Sequence, residues 1–113
     1  MTLEILQQKC HVAAKTAGWW TETTAETIPS KLCLIHSEIS EAMEGHRKGL
    51  MDDKLPHRAM FEVELADAVI RILDLAGATD CDLAGAISEK LAYNRTRADH
   101  KPENRAKSGG KKY

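Results

Sequence analysis

Met60-Phe-Glu-Val-Glu-Leu-Ala-Asp-Ala-Val-Ile-Arg-Ile-Leu-Asp-Leu-Ala76 decides the reading of this 113-residue chain. Twelve of these 17 residues are apolar, and they do not keep to one face. At about 100° per residue, Glu64, Asp67, Arg71 and Asp74 fall within a strip roughly 80° wide. Apart from Glu62, the rest of the circumference is Val, Ile, Leu, Ala, Met and Phe. A helix of that kind is expected in an interior. Acids buried there are costly unless they are paired or hold a cation, so some partner must face the strip. A chain this short has few elements with which to cover the remaining apolar surface. The expectation is a homodimer or homotetramer.

Length places the chain as one small domain with room for one core. Hydrophobic content of 42% against 29% charged fits a folded chain, and aromatics at 4% favour helices over sheet. No apolar run nears the roughly 20 residues of a membrane span. The start, Met1-Thr-Leu-Glu-Ile-Leu-Gln-Gln8, lacks the basic and apolar regions of a signal peptide. The expectation is a cytoplasmic protein without a membrane partner. Residues 1–98 carry 11 Lys+Arg against 15 Asp+Glu, and residues 99–113 carry five against two. An acidic body with a short basic tail argues against binding duplex nucleic acid. Cys10, Cys33 and Cys81 form no Cys-x-x-Cys pair, and they read as small buried hydrophobes.

Four main helices are expected. The first spans about Leu3 to Ala17, between an N-cap at Thr2 and a stop at Gly18, with Leu6, Cys10, Ala13, Ala14 and Ala17 facing inward. A Thr-rich loop follows, with Trp19 and Trp20 as either packing anchors or a stacking surface for a nucleobase. The second helix opens at Pro29 and stops at Gly49, with Leu32, Ile35, Ile39, Ala42 and Met43 at core spacing. The third opens at Pro56 and closes at Gly77. The fourth runs from about Leu83 to Ala98 behind Asp82 or Asp80. On it Lys90, Asn94 and Arg97 share one face at i, i+4, i+7. Residues 1–98 thus form a single all-α domain, and residues 99–113 a basic, flexible tail.

Two acidic pairs carry the chemistry: Glu38-Ile-Ser-Glu41 and Glu64-Leu-Ala-Asp67, with 22 residues between them. Each pair lies on one side of a helix. The gap suffices for a helix end, a turn and a return, so antiparallel helices can set four carboxylates face to face. Such a cluster repels itself unless a cation neutralises it, and oxygen ligands suit Mg²⁺ or Mn²⁺. A di-iron bundle would need Glu-x-x-His, and none of the five histidines has a Glu three residues before it. There is no Gly-x-x-x-x-Gly-Lys loop and no Gly-x-Ser-x-Gly elbow.

The two pairs in this order resemble the signature of the all-α nucleoside triphosphate pyrophosphohydrolases, the MazG-like proteins. The resemblance takes in Gly18-Trp-Trp20, Glu41-Ala-Met-Glu-Gly-His-Arg47, Asp53-Lys-Leu-Pro-His-Arg58 and Lys90-Leu-Ala-Tyr-Asn-Arg-Thr-Arg97. The tail between His100 and Lys111-Lys-Tyr113 is longer than in that pattern. The resemblance implies a four-helix, bundle-like domain that oligomerises. It also implies Mg²⁺-dependent hydrolysis of a (d)NTP to (d)NMP and pyrophosphate. By it, Glu38, Glu41, Glu64 and Asp67 are the catalytic metal ligands, and Lys90, Asn94 and Arg97 hold the triphosphate or sugar. Tyr93, Trp19 and Trp20 are candidates for base contact. The rival expectation is a non-catalytic helical module that binds nucleotide or another chain through the same acidic pocket.

Overall fold

A computed structural model describes residues 1–113, the side chain of Ala98 excepted. Helices are the regular structure of the described residues, with no strand and one isolated antiparallel bridge between Met51 and Ala59. Four long helices, α1 (Leu3–Thr16), α2 (Thr27–Lys48), α3 (Met60–Ala78) and α4 (Leu83–Thr96), are followed by a 3-10 turn (Ala98–His100) and a short α5 (Pro102–Arg105). The chain forms two compact units, residues 1–81 and residues 82–113. No helix among the described residues is long and apolar enough to cross a membrane.

In the first unit α3 packs against both α1 and α2. α1 begins where its cap dictates: Thr2 Oγ1 accepts from Ile5 N at 3.2 Å, satisfying one of the helix's orphan donors. α2 starts two residues before Pro29 and ends as expected at Gly49, whose φ of 63° is the left-handed value that closes a helix without a Cβ penalty.

α3 departs from expectation at both ends. It opens at Met60 rather than at Pro56. Asp52, itself buried, accepts from Lys54 N (3.0 Å) and Leu55 N (2.7 Å), folding residues 52–55 into a side-chain-closed turn. Arg58 N then donates to Leu55 O at 2.9 Å, and Asp52 N donates to Arg58 O at 2.9 Å. Residues 56–59 are committed to this loop, and the helix can begin only beyond it. At the other end α3 runs through Gly77 to Ala78. A Cβ on Gly77 would come within 2.7 Å of His11 Cβ. The glycine lets α1 approach α3 and does not stop the helix.

The fully buried apolar residues are few: Ala42, Ala68, Leu73 and Ala76. Ala42 lies one turn after Glu38, and Ala68 one turn after Glu64. Small residues on the contact faces of α2 and α3 allow close helix approach, which brings the flanking acids within reach of each other. The rest of the expected core needs correction. Ile35 is half-buried, but Leu32, Ile39 and Met43 on α2 are exposed, as are Ala13 and Ala17 near the end of α1. On α3, Leu65, Val69 and Ile72, a single stripe at i, i+4, i+7, are exposed too. The cysteines are free, with Cys10 half-buried and Cys33 and Cys81 exposed rather than buried. Burial, then the charge of Asp74, raises the Cys10 thiol above its ordinary range, which disfavours its thiolate.

In the second unit Asp82 caps α4, its Oδ1 accepting from Gly85 N at 3.0 Å. The helix ends at Thr96, short of the expected Ala98, and the expected tail contains α5.

Candidate functional site

α2 and α3 bring three of the four acids together. Glu38, Glu41 and Glu64 each offer a carboxylate oxygen, and these oxygens lie within 4.8 Å of one another. Glu38 and Glu64 are buried and Glu41 is exposed, so the cluster opens to solvent on the Glu41 side. Oε2 of Glu64 is buried and has no hydrogen-bond partner. As a carboxylate that oxygen meets no donor; burial first, then hydrogen bonding of the protonated acid to Glu38 and Glu41 and their like charge, push Glu64 up to about 8. A carboxyl so displaced inside an acidic group marks a candidate functional site.

Asp67 stands beside this group and outside the set of three. It is half-buried. Its carboxyl is raised by burial first, then by Glu38, Asp52 and Glu41, while Arg71 pulls the other way. Asp52 is thus a further acid near the site, contributed by the loop between α2 and α3. Its signal was chemical: Asp followed by Asp-Lys-Leu-Pro is turn chemistry in which the first side chain closes on the backbone.

Arg71 completes the strip. Its Nε donates to Glu38 Oε1 at 2.9 Å, across the α2–α3 contact. A pairing within α3, Asp67 with Arg71 at i, i+4, does not form among the described hydrogen bonds and ion pairs. Asp74 has a separate task. Buried at 9% exposure, it accepts from His11 Nδ1 at 2.9 Å and from Trp20 Nε1 at 2.9 and 3.2 Å. It thereby ties α1, α3 and the Trp19-Trp20 loop together. Lys31 adds a second fastening, with Nζ 4.5 Å from the Trp20 ring centre and 3.2 Å from Trp19 O, to which it donates. His11 meets Trp20 edge-on at 5.7 Å. Trp20 therefore has its N–H and part of its ring engaged, whereas Trp19 is 69% exposed. Of the two tryptophans, Trp19 has the more open ring.

Lys90, Tyr93, Asn94 and Arg97 lie near one another within the second unit, but Arg97 follows the end of α4 in extended backbone, so the i+7 position expected of it on the helix does not form. Lys90 Nζ lies 4.8 Å from the centre of the Tyr93 ring, and the Arg97 guanidinium carbon lies 5.9 Å from it. Arg97 donates through Nε and Nη2 to the two oxygens of Asp99, at 3.0 and 2.6 Å, and through Nη1 to Asn94 Oδ1 at 3.4 Å. Asp99, held below its ordinary range first by that hydrogen bond, is a neighbour the spacing of α4 did not announce.

No protein family, curated protein or solved structure matches the chain.

Proposed function

We propose that the chain is a divalent-metal-dependent nucleoside triphosphate pyrophosphohydrolase acting in the cytoplasm, converting a (d)NTP to (d)NMP and pyrophosphate. The observation that carries the reading is Glu64 Oε2, buried without a hydrogen-bond partner in a group of three carboxylates. Leaving such an oxygen unpaired is costly, and a hard cation with oxygen ligands removes the cost. Glu38, Glu41 and Glu64, with Asp67 beside them, would hold Mg²⁺ or Mn²⁺. A bound divalent ion at such a site polarises phosphoryl oxygens and lowers the pKa of an attacking water. The resemblance to MazG-like proteins supplies the substrate class. It also assigns Lys90, Asn94 and Arg97 to the triphosphate or sugar. The planar fork of Arg97 already grips a carboxylate in the way it would grip a phosphate. By the same resemblance Trp19, Trp20 and Tyr93 are candidates for base contact, and of these Trp19 and Tyr93 are well exposed.

The test is a panel of NTPs and dNTPs with Mg²⁺, assayed for pyrophosphate and orthophosphate. Mg²⁺-dependent pyrophosphate with an equal amount of monophosphate is the expected result. Nucleotide binding without turnover would leave the non-catalytic module as the correct reading.

Self-association belongs to the same proposal. Leu32, Ile39 and Met43 on α2 and Leu65, Val69 and Ile72 on α3 are each more than a third exposed. Monomers rarely expose contiguous apolar patches beyond a few hundred Å². Light scattering at micromolar concentration should return a multiple of 12.5 kDa, and a mass of one chain would contradict the argument.

A further inference from the structure

Arg71 pairs with Glu38 through one nitrogen only. Its Nε donates to Glu38 Oε1 at 2.9 Å, and among the described residues Nη1 and Nη2 have no hydrogen-bond partner. A guanidinium placed purely to lock a carboxylate tends to use two parallel N–H groups. Arg97 does so in this same chain, gripping both oxygens of Asp99. The Arg71 side chain is also 40% exposed, against 11% for Glu38. One nitrogen is spent on the cluster, and the side chain keeps two-fifths of its surface open to solvent. No other Lys or Arg among the described residues bonds to Glu38, Glu41 or Glu64.

Charge fixes what the other nitrogens of Arg71 can take. The acidic side chains of the site outnumber its one guanidinium, so the metal-free site is negative and a free polyphosphate is repelled. Once divalent cations have neutralised the carboxylates, the same guanidinium is a planar donor fork beside them, matched to phosphate oxygens. We infer that Arg71 is a two-state residue of the site: counter-ion to Glu38 in the metal-free chain, and a contact for a non-bridging phosphate oxygen of the substrate when metal is bound. The inference rests on the metal-dependent reading above. It adds a phosphate contact from α3 itself, and an order of binding in which metal precedes or accompanies the anion.

The test uses the whole chain with Mn²⁺ alone, followed over free Mn²⁺ by electron paramagnetic resonance, and then with Mn²⁺ plus inorganic pyrophosphate by calorimetry. Arg71→Gln removes the competing cation, so Mn²⁺ alone should bind about threefold tighter or better. Pyrophosphate in the presence of Mn²⁺ should bind about tenfold weaker. Arg71→Lys keeps the charge and loses the fork. It should bind Mn²⁺ as the native chain does, while losing part of the pyrophosphate affinity. This second variant carries the test if Arg71→Gln fails to fold. A structural role predicts the opposite sign for the metal: Arg71→Gln would release Glu38 and weaken Mn²⁺ and pyrophosphate together. That result overturns the inference, and so does unchanged pyrophosphate binding in both variants. If the native chain binds no Mn²⁺, the metal-site reading fails first and takes the inference with it.

Discussion

Glu64→Gln should raise the melting temperature of the metal-free chain at pH 9 and abolish Mg²⁺-dependent turnover. The two effects come from one atom. Glu64 is 9% exposed, its Oε2 has no hydrogen-bond partner, and Glu38 and Glu41 oxygens lie within 4.8 Å. The amide has the same shape, carries no charge, and brings two N–H donors to a place surrounded by acceptors. Above the titration of Glu64, at about 8, the substitution removes a buried like charge. The relief is on the order of 2 to 4 kcal/mol, and each kcal/mol moves the melting point of a domain this size by about 4 °C or more. At pH 6 the native carboxyl already holds a proton, so most of the gain should vanish there. On the metal-dependent reading the same change deletes an anionic ligand. Turnover should fall by at least about a hundredfold, equivalent to ~2.7 kcal/mol of transition-state stabilisation. Melts at the two pH values and an assay of pyrophosphate release check both arms. A variant with more than about a tenth of native activity, a loss below ~1.4 kcal/mol, would remove Glu64 from the metal's ligands.

How much of this was legible in the sequence depends on what kind of information each feature needs. Periodicity placed Glu64, Asp67, Arg71 and Asp74 on one strip of α3 and Glu38 with Glu41 on one side of α2, because residue spacing and helix pitch alone fix angular position. It left open which strip residue meets which partner. Arg71 follows Asp67 by four residues, so a pair within the helix was the natural alternative, yet the guanidinium crosses to Glu38. The wheel has no knowledge of interhelical distance, which here follows from alanines at the contact. Asp74 shows the same gap. Its position on the strip was readable, but its partners, His11 and Trp20, come from 63 and 54 residues away. The start of α3 was misplaced because Pro56 is good helix-opening chemistry, and the competing turn built by Asp52 outweighs it. Leu32, Ile39 and Met43 share a face by spacing, yet that face is exposed; core spacing fixes which residues point the same way and does not by itself bury them.

In EDTA the chain should lose stability as pH rises from about 5 to 8, the reverse of the usual behaviour of a carboxylate in a native ion pair. An acid whose folded pKa lies above its unfolded value keeps a proton on folding, so protons favour the folded state. For Glu64 the window runs from the ordinary 4.5 to about 8. Below it both states are protonated and the group costs nothing. Through it stability declines, and above it the loss is complete and constant. A tenfold difference in proton affinity is worth ~1.4 kcal/mol, which sets a ceiling of about 5 kcal/mol for the whole window. Asp67, also raised by burial and by Glu38, adds a slope of the same sign. Because the carboxyls interact, the proton belongs to the cluster, and the decline should be broader than a single titration. Asp99, lowered by Arg97, acts oppositely, but its contribution is lost only as pH falls through the acid range, outside this window. Saturating Mg²⁺ should reverse the trend. Its ligands must be deprotonated, so its affinity grows with pH. A hundredfold excess over Kd contributes ~2.7 kcal/mol to the folded state. Thermal melts from pH 5 to 9, with EDTA and with Mg²⁺, should therefore give two curves that start together and separate steadily above about pH 6. A flat EDTA curve would mean that Glu64 finds solvent or a donor in solution. Two parallel falling curves would mean that the buried carboxyl is real and that Mg²⁺ does not bind it.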